Sequence, residues 1–235
     1  MSARDGVTRK LFWLDPYRTE LDTRVARVEG DAVTVEETIL FAFSGGQESD
    51  RGAIAGRPVL GAEWRGREIV YRLAPGHGLK PGDPATIRLD WPRRLRLMRL
   101  HFAAELVLEV VNQRLARPEK IGAHIGEDKA RIDFLWEGSI APHLPAIADE
   151  VRALVAADLP IESAFSDEAN ERRFWRIAGF AEVACGGTHP RRTGEVGAVA
   201  LKRWNAGKGK ERIEITLDDD VCPAPPAFRH PPPSS

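Results

Sequence analysis

The segment Cys185-Gly186-Gly187-Thr188-His189 restricts the possible folds more than any other stretch of this chain. Its cysteine and histidine are both common zinc ligands, but two ligands do not enclose an ion. Far upstream, His101 offers a second imidazole, and Glu105 lies one helical turn later, so that both side chains leave the same face of a helix. One thiolate, two imidazoles and one carboxylate are enough for a tetrahedral site. A fold that uses this set must bring two distant segments to one point.

Each half of this set also has an ordinary explanation. A Cys-His pair four residues apart also occurs as a buried thiol beside a surface imidazole. The pair of His101 and Glu105 also fits a solvated helix face, where it contributes a few tenths of a kcal/mol. The adjacent glycines favour the metal site, because they let the loop wind tightly with both of its ends pointing inward. The residues alone therefore favour, but do not require, one zinc site with four ligands.

The overall charge and the cysteine usage limit the class of protein. The formal net charge of −1 gives no global electrostatic argument for nucleic acid, so that any such contact depends on local basic patches. Two cysteines, Cys185 and Cys222, do not form a disulfide framework, which favours a reducing compartment. The polar start lacks an apolar signal core, and no run approaches the roughly 18 apolar residues of a membrane helix. We therefore expect a soluble, cytoplasmic protein.

Short segments rich in Val, Ile, Phe and Thr, broken by glycine, dominate the first part of the chain. They predict an all-β domain, a small barrel, over residues 1–90. The predicted strands are 10–14, 22–28, 32–37, 39–43, 68–73 and 85–89.

The composition changes at Asp90-Trp91-Pro92, where an amphipathic helix over residues 93–115 is predicted. A second helix is predicted over 144–157, with strands at 121–125, 130–135, 161–165, 174–177, 196–203 and 212–217. Helices and strands mixed without repeating βαβ units predict an α+β domain over residues 91–220, in which helices pack on an antiparallel sheet. The Pro/Ser-rich residues 221–235 are predicted to be a disordered tail.

Several short motifs follow one another along the chain: Thr38-Ile39-Leu40-Phe41, Ser44-Gly45-Gly46-Gln47, Asp90-Trp91, Arg93-Arg94, Met98-Arg99, His101, Ile125 to Phe134, Cys185 to His189, Thr193 to Gly197 and Lys210 to Glu214. In this order they resemble the editing domain of alanyl-tRNA synthetase and its freestanding relatives, the alanyl-tRNA editing proteins. The resemblance covers residues 10–217. It implies a translation-protein-type barrel followed by an editing domain, without an aminoacylation domain.

One position departs from the family pattern. Glu105 stands where the family has a second histidine, and Phe102 stands where threonine is common. A carboxylate oxygen can ligate zinc, and it would bring the formal charge of the site to zero instead of +1. The alternative is that Glu105 is not a ligand and serves as a general base that takes a proton from a metal-bound water. We favour ligation, because the position is equivalent and carboxylate oxygen suits zinc.

The resemblance implies hydrolysis of the ester between a wrong amino acid, serine or glycine, and the acceptor end of alanine tRNA. In this scheme Cys185, His189, His101 and Glu105 hold a zinc ion that orients the amino group or a water molecule. Thr38 recognises a serine hydroxyl, although by itself it is an ordinary strand threonine. Gln47 bonds to substrate or is only a turn residue. Gly45 and Gly46 let the backbone approach the substrate, and Thr188 faces the substrate or holds the metal loop.

Basic side chains flank both halves of the proposed site. Arg93, Arg94, Arg96 and Arg99 all precede His101 on the predicted helix, and six more basic residues lie between residues 191 and 210. Such clusters are usually solvated faces, but here we expect contact with tRNA phosphates, with Arg94 and Arg99 as substrate-binding residues. Two alternatives stay open: a tRNA-binding module with purely structural zinc, and an editing hydrolase with altered aminoacyl-tRNA specificity in which Glu105 and Phe102 form the changed pocket.

Overall fold

The structure is a computed structural model that describes residues 7–218, and it divides into two compact units. Among these residues, the first unit comprises 7–42 and 50–92, and the second comprises 43–49 and 93–218. The segment Phe43–Ser49, which carries Gly45, Gly46 and Gln47, therefore belongs by its contacts to the second unit. Cys222 and the tail predicted to be disordered lie outside the described residues.

The first unit is built on a seven-stranded antiparallel sheet that curls into a half-barrel. Its strands are β1 (Arg9–Lys10), β2 (Glu20–Glu29), β3 (Ala32–Val35), β4 (Glu37–Thr38), β5 (Gly52–Ile54), β6 (Arg57–Pro58), β7 (Gly61–Arg65), β8 (Glu68–Arg72) and β9 (Pro84–Leu89). The sheet order is β6-β5-β9-β2-β3-β8-β7, and β1 pairs in parallel with β4 outside it. The long β2 pairs with β9 through its first half and with β3 through its second, which lets one strand serve both sides of the curl.

Two predicted strands of the first unit are wrong. Leu11–Trp13 forms a short 3₁₀ helix, so that only Arg9–Lys10 is extended there. Residues 39–43 lie in no strand, although Ile39 to Ala42 are buried. Their backbone is satisfied locally: the Leu40 N–H donates to Thr38 Oγ1 (3.1 Å), and the Phe41 N–H donates to the Asp50 carboxylate (2.6 Å). Side-chain oxygens thus replace the ladder that the apolar run predicts.

The second unit mixes two α-helices with two antiparallel sheets. Its elements are α1 (Trp91–Arg114), which begins at the end of the first unit, β10 (Lys120–Ile125), β11 (Ala130–Leu135), α2 (Leu144–Ala156), β12 (Glu162–Asp167), β13 (Arg172–Ile177), β14 (Ala181–Ala184), β15 (Val199–Gly207) and β16 (Lys210–Leu217), with short 3₁₀ helices at Ala141–His143 and Thr193–Val196. The sheets have the orders β10-β11-β16-β15 and β12-β13-β14. Both helices and both sheets contribute to one hydrophobic core. The predicted mixture of helices and strands is confirmed, and strands predominate.

The first helix differs from the prediction in its burial. The bounds of α1 agree with the predicted helix, but its middle turns are not amphipathic, because Leu97, Leu100, Ala104 and Val107 bury the faces that were expected to be polar. A helix that is apolar all round is typical of an interior element. This burial places His101 inside the protein, with 5% of its surface exposed.

Neither α1 nor α2 carries an apolar stretch long enough for a bilayer crossing.

Candidate metal centre

Three potential metal ligands converge inside the second unit. His101 comes from the middle of α1, whereas Cys185 follows β14 and His189 lies in the loop after it. The Cys185 Sγ lies 3.5 Å from His101 Nε2 and 3.3 Å from His189 Nε2. The ligand atoms of the three residues all lie within 4.8 Å of one another. The structure therefore brings together, at one point, residues that are 84 positions apart in the chain.

Glu105 lies beside this cluster rather than inside the mutually close set. Its Oε1 is 3.3 Å from His101 Nε2 and 3.6 Å from Cys185 Sγ. Its Oε2 accepts a hydrogen bond of 3.0 Å from the indole Nε1 of Trp175, which is fully buried on β13. The three residues whose ligand atoms are all mutually close do not include Glu105. The two carboxylate oxygens thus have different neighbours.

Both imidazoles turn the same nitrogen toward the thiol. His101 Nδ1 donates to Gln47 Oε1 (2.6 Å), and His189 Nδ1 bonds to Ser163 Oγ (3.1 Å), so that each Nε2 faces Cys185. The Gln47 amide is itself fixed, because its Nε2 donates to Thr188 Oγ1 (2.9 Å). Oxygen partners on the remote nitrogen of each histidine are the usual means by which proteins orient metal ligands.

The glycines of the cysteine loop have separate roles. A Cβ on Gly187 would overlap the His101 ring and lie 2.9 Å from Gln47 Oε1, whereas a Cβ on Gly186 meets nothing within 4 Å. Only Gly187 therefore permits the loop to pass so close to the imidazole.

The segment Phe43–Ser49 is anchored so that Gln47 reaches the histidine. Gly46, with φ +91°, brings the backbone against β10, where a Cβ would lie 2.7 Å from the Ala123 carbonyl oxygen. Its own carbonyl accepts from the Ile125 N–H (2.8 Å). The buried Arg93 donates to Glu48 (2.7 Å) and to Glu127, which ties the same segment to the start of α1. Gly46 thus makes a close backbone approach to β10, whereas the predicted approach of Gly45 and Gly46 to a substrate stays a prediction.

The predicted substrate-binding arginines are not on the surface. Arg94 is completely buried, and Arg99, which is 4% exposed, donates from Nε to the Val196 carbonyl oxygen (3.0 Å). The expectation of an exposed basic cluster is wrong for these two side chains, because α1 is an interior helix. Contact of either arginine with a tRNA phosphate stays a prediction.

Thr38 and Thr188 are both buried and hydrogen-bonded. In the first unit, Tyr71 donates to the Leu40 carbonyl oxygen (2.8 Å), which leaves the Thr38 hydroxyl to donate to Tyr71 at 2.6 Å. In the second unit, Thr188 accepts from Gln47 and so braces the metal loop, one of the two roles predicted for it. Contact of either threonine with a substrate stays a prediction.

Sequence reasoning missed Ser163 and Trp175. These two residues are direct partners across the β12–β13 pair, and they hold His189 and Glu105 respectively. A serine and a tryptophan in short strands carry no motif that indicates a metal centre. The one usable signal is their strand assignment, and it becomes informative only when the register is known.

The electrostatics favour the ligating forms of the acidic groups. Burial raises the pKa of the Cys185 thiol, but the two histidines outweigh burial and lower it to about 6. Burial likewise raises the pKa of Glu105, yet the hydrogen bond and charge of His101 bring it to about 2. Burial lowers the pKa of His101, while Cys185 and Glu105 raise it to about 10. A cation that takes Nε2 of His101 therefore releases a proton.

The donor set and its spacing fit zinc. Zinc bonds of about 2.0–2.2 Å to nitrogen or oxygen and about 2.3 Å to sulfur imply tetrahedral edges of about 3.3–3.6 Å between ligand atoms. The observed edges are 3.3 and 3.5 Å between sulfur and the imidazoles, 3.3 Å between His101 and Glu105, and 3.6 Å between sulfur and Glu105. Soft thiolate with imidazole is also the ligand chemistry that zinc selects.

Known proteins are similar to this chain along most of its length. Residues 173–214 match the family model described as the threonyl and alanyl tRNA synthetase second additional domain. The chain is 29% identical over 226 residues to the alanyl-tRNA editing protein AlaX-M of Pyrococcus horikoshii, in an alignment that covers 91% of this chain and 99% of that protein. It is 30% identical over 245 residues to AlaX-M of Methanosarcina barkeri, with 91% and 100% covered. An alanine–tRNA ligase of Korarchaeum cryptofilum is 30% identical over 243 residues, which are 89% of this chain and 26% of the ligase.

Proposed function

The chain belongs to the family of AlaX-M alanyl-tRNA editing proteins, and on that basis we propose that it is a trans-acting, zinc-dependent hydrolase of mischarged alanine tRNA. Its substrates are the seryl and glycyl esters at the acceptor end. The observation that carries the proposal is the convergence of His101, Cys185 and His189, with the two Nε2 atoms 3.5 and 3.3 Å from the thiol sulfur, in a chain that matches AlaX-M proteins along nearly their whole length.

The centre suits ester hydrolysis because the substrate is already activated and needs mainly positioning. His101, Cys185, His189 and Glu105 would hold a zinc ion, whose positive charge would attract an amino group or a water molecule. Cys185 acts as a ligand, which uses its thiolate and leaves no free nucleophile. Gln47 holds the His101 ring in place, and Thr188 holds Gln47.

Two residues bear on which amino acid is selected, Thr38 and Phe102. Thr38 recognises the serine hydroxyl by exchanging its bond to Tyr71 for one to the substrate. Phe102, the other departure from the family pattern, is fully buried, with its ring 5.2 Å from that of Trp175 and 5.5 Å from that of His189. It therefore packs against residues of the metal centre, which favours the specificity implied by the family over a changed pocket.

The partner is the single-stranded acceptor end of alanine tRNA, approached by phosphate contacts from exposed basic residues downstream of Cys185. We keep the predicted layout of a barrel domain over residues 1–90 and an editing domain over 91–220, with the segment Phe43–Ser49 added to the latter. Cytoplasmic placement follows from the presence of tRNA charging in that compartment.

A deacylation assay tests the proposal. Purified, zinc-loaded protein is incubated with alanine tRNA charged with serine, glycine or alanine, and the remaining ester is measured over time. We expect loss of the serine or glycine ester with alanine spared. His189→Ala should abolish the reaction, whereas His143→Ala, which changes an exposed histidine on a 3₁₀ helix, should not.

The fourth donor favours one rival function, since a closed shell of four protein ligands is typical of structural zinc. Fully loaded protein that binds the tRNA without deacylating any of the three esters would establish that rival.

A further inference from the structure

We propose that Trp175 makes Glu105 a metal ligand through one oxygen only, and that the two residues are a matched pair in which the indole N–H requires an acceptor at position 105. Trp175 is thus a positioning residue. The inference rests on the proposed zinc site and concerns how its fourth ligand is held.

The geometry divides the carboxylate between two tasks. Oε2 accepts from Trp175 Nε1 at 3.0 Å, while Oε1 faces His101 Nε2 at 3.3 Å and Cys185 Sγ at 3.6 Å. A carboxylate that turned both oxygens toward the ion would have to rotate Oε2 away from the indole N–H. Because Trp175 has no exposed surface, bulk water does not take over that bond.

The indole is the fixed member of the pair. Trp175 lies on β13, the middle strand of its three-stranded sheet, and its ring meets Phe102 edge to face at 5.2 Å. Its cross-strand partner is Ser163, which holds His189. The same strand pair therefore orients one imidazole and the carboxylate, and Glu105, on a longer side chain, adjusts to the indole.

The pairing explains why a carboxylate suits this chain at position 105. The two nitrogens of an imidazole are separated by one carbon, as are the two oxygens of a carboxylate. If one nitrogen of a histidine takes the place of Oε1, the other carries a proton and faces the indole N–H. Two donors then oppose each other in the interior with no acceptor between them. Trp175 therefore disfavours histidine at this position.

A double-mutant cycle tests the pairing through zinc affinity, measured by competition with a chromophoric chelator. The four proteins are the parent, Trp175→Phe, Glu105→His and the double variant. We expect each single change to weaken zinc binding by about 10–100-fold, as is usual for an oriented ligand that loses its support. In the double variant, Trp175→Phe should improve affinity at least threefold over Glu105→His alone, because it removes the opposing donor.

The sign of the Trp175→Phe effect decides the result. If the indole only fills space, Trp175→Phe weakens binding by the same factor with Glu105 or with histidine present, and the proposal is overturned. Trp136→Phe is the matched control, since Trp136 packs against the same core and its ring contacts His143. It should leave zinc affinity within twofold of the parent.

A spectroscopic measurement on the folded parent covers the case in which Trp175→Phe does not fold. The six tryptophans give six indole N–H signals in a ¹⁵N–¹H correlation spectrum. One should be protected from exchange and should shift when zinc is added, and in Glu105→Ala that protection should be lost. Protection that is unchanged in Glu105→Ala overturns the proposal.

Failure of this inference is separable from failure of the proposed function. Deacylation by the parent with an additive cycle would remove the pairing and leave the function. A non-additive cycle in a protein without deacylase activity would keep the pairing and remove the proposed function.

Discussion

Adding one methyl group at Gly187 tests whether the cysteine loop and His101 form a single centre. The new Cβ would overlap the ring of His101 and lie 2.9 Å from Gln47 Oε1, whereas ordinary contact begins at 3.4 Å. The overlap would force the ring to move by about 1 Å or more. Its hydrogen bond to Gln47 opposes that movement. Metal–ligand distances tolerate shifts of only about 0.2 Å. We expect Gly187→Ala to lower zinc affinity by at least about 100-fold and the free energy of unfolding by about 1–3 kcal/mol.

The neighbouring glycine supplies the control. Gly186→Ala makes the same chemical change one residue earlier, where a Cβ meets nothing within 4 Å. Both variants are compared with the parent by chelator competition for affinity and by urea titration for stability. Gly186→Ala should match the parent within about twofold. Equal zinc affinity of the two variants would refute the argument, because it would mean that the His101 ring is not held against this loop.

Three further predictions concern other parts of the centre and the tRNA surface. Gln47→Leu removes the acceptor of His101 Nδ1 and should weaken zinc binding by about 10–100-fold in the same competition assay. Gln113→Leu, on the exposed end of α1, is its control and should have no effect. Ser163→Ala removes one bond of 3.1 Å from the second imidazole and should weaken zinc binding by about tenfold; no change would mean that the serine is not a support. Trp204, which is 54% exposed on β15, is a candidate for stacking on tRNA bases. Trp204→Ala should raise the Kd for tRNA by about 5–50-fold without changing its salt dependence, and a reduced salt slope would contradict a stacking role.

Much of the second unit was accessible from sequence because its signals are local. The bounds of α1 follow from periodicity and from Pro92 near its start, and most strands follow from runs of β-branched and aromatic residues. In the first unit, the strands β5, β6 and β7 were missed because they are two to five residues long and more than half of their residues are glycine, proline or charged. β6 and β7 pair with the strands next to them in sequence, β5 and β8, whereas β5 also pairs with the distant β9.

The burial of α1 shows where the local signals end. The arginines near its start indicated a surface facing tRNA, yet Arg94 and Arg99 are interior and Arg93 ties two acidic residues together. The sequence shows an arginine in the same way whether its side chain is exposed or buried. Whether it meets solvent or a buried acceptor depends on which elements cover the helix, and no periodicity in the helix itself records that.

The sequence by itself determined the residue types of the metal centre, their grouping at His101 and Cys185 to His189, and the family to which the chain is similar, because ligand chemistry and glycine spacing are properties of short segments. Only the tertiary structure decided how those ligands are aimed. Gln47, Ser163 and Trp175 reach the centre from three separate elements. Their roles depend on strand register and on the course of the segment Phe43–Ser49, which are set by long-range packing and not by any local pattern.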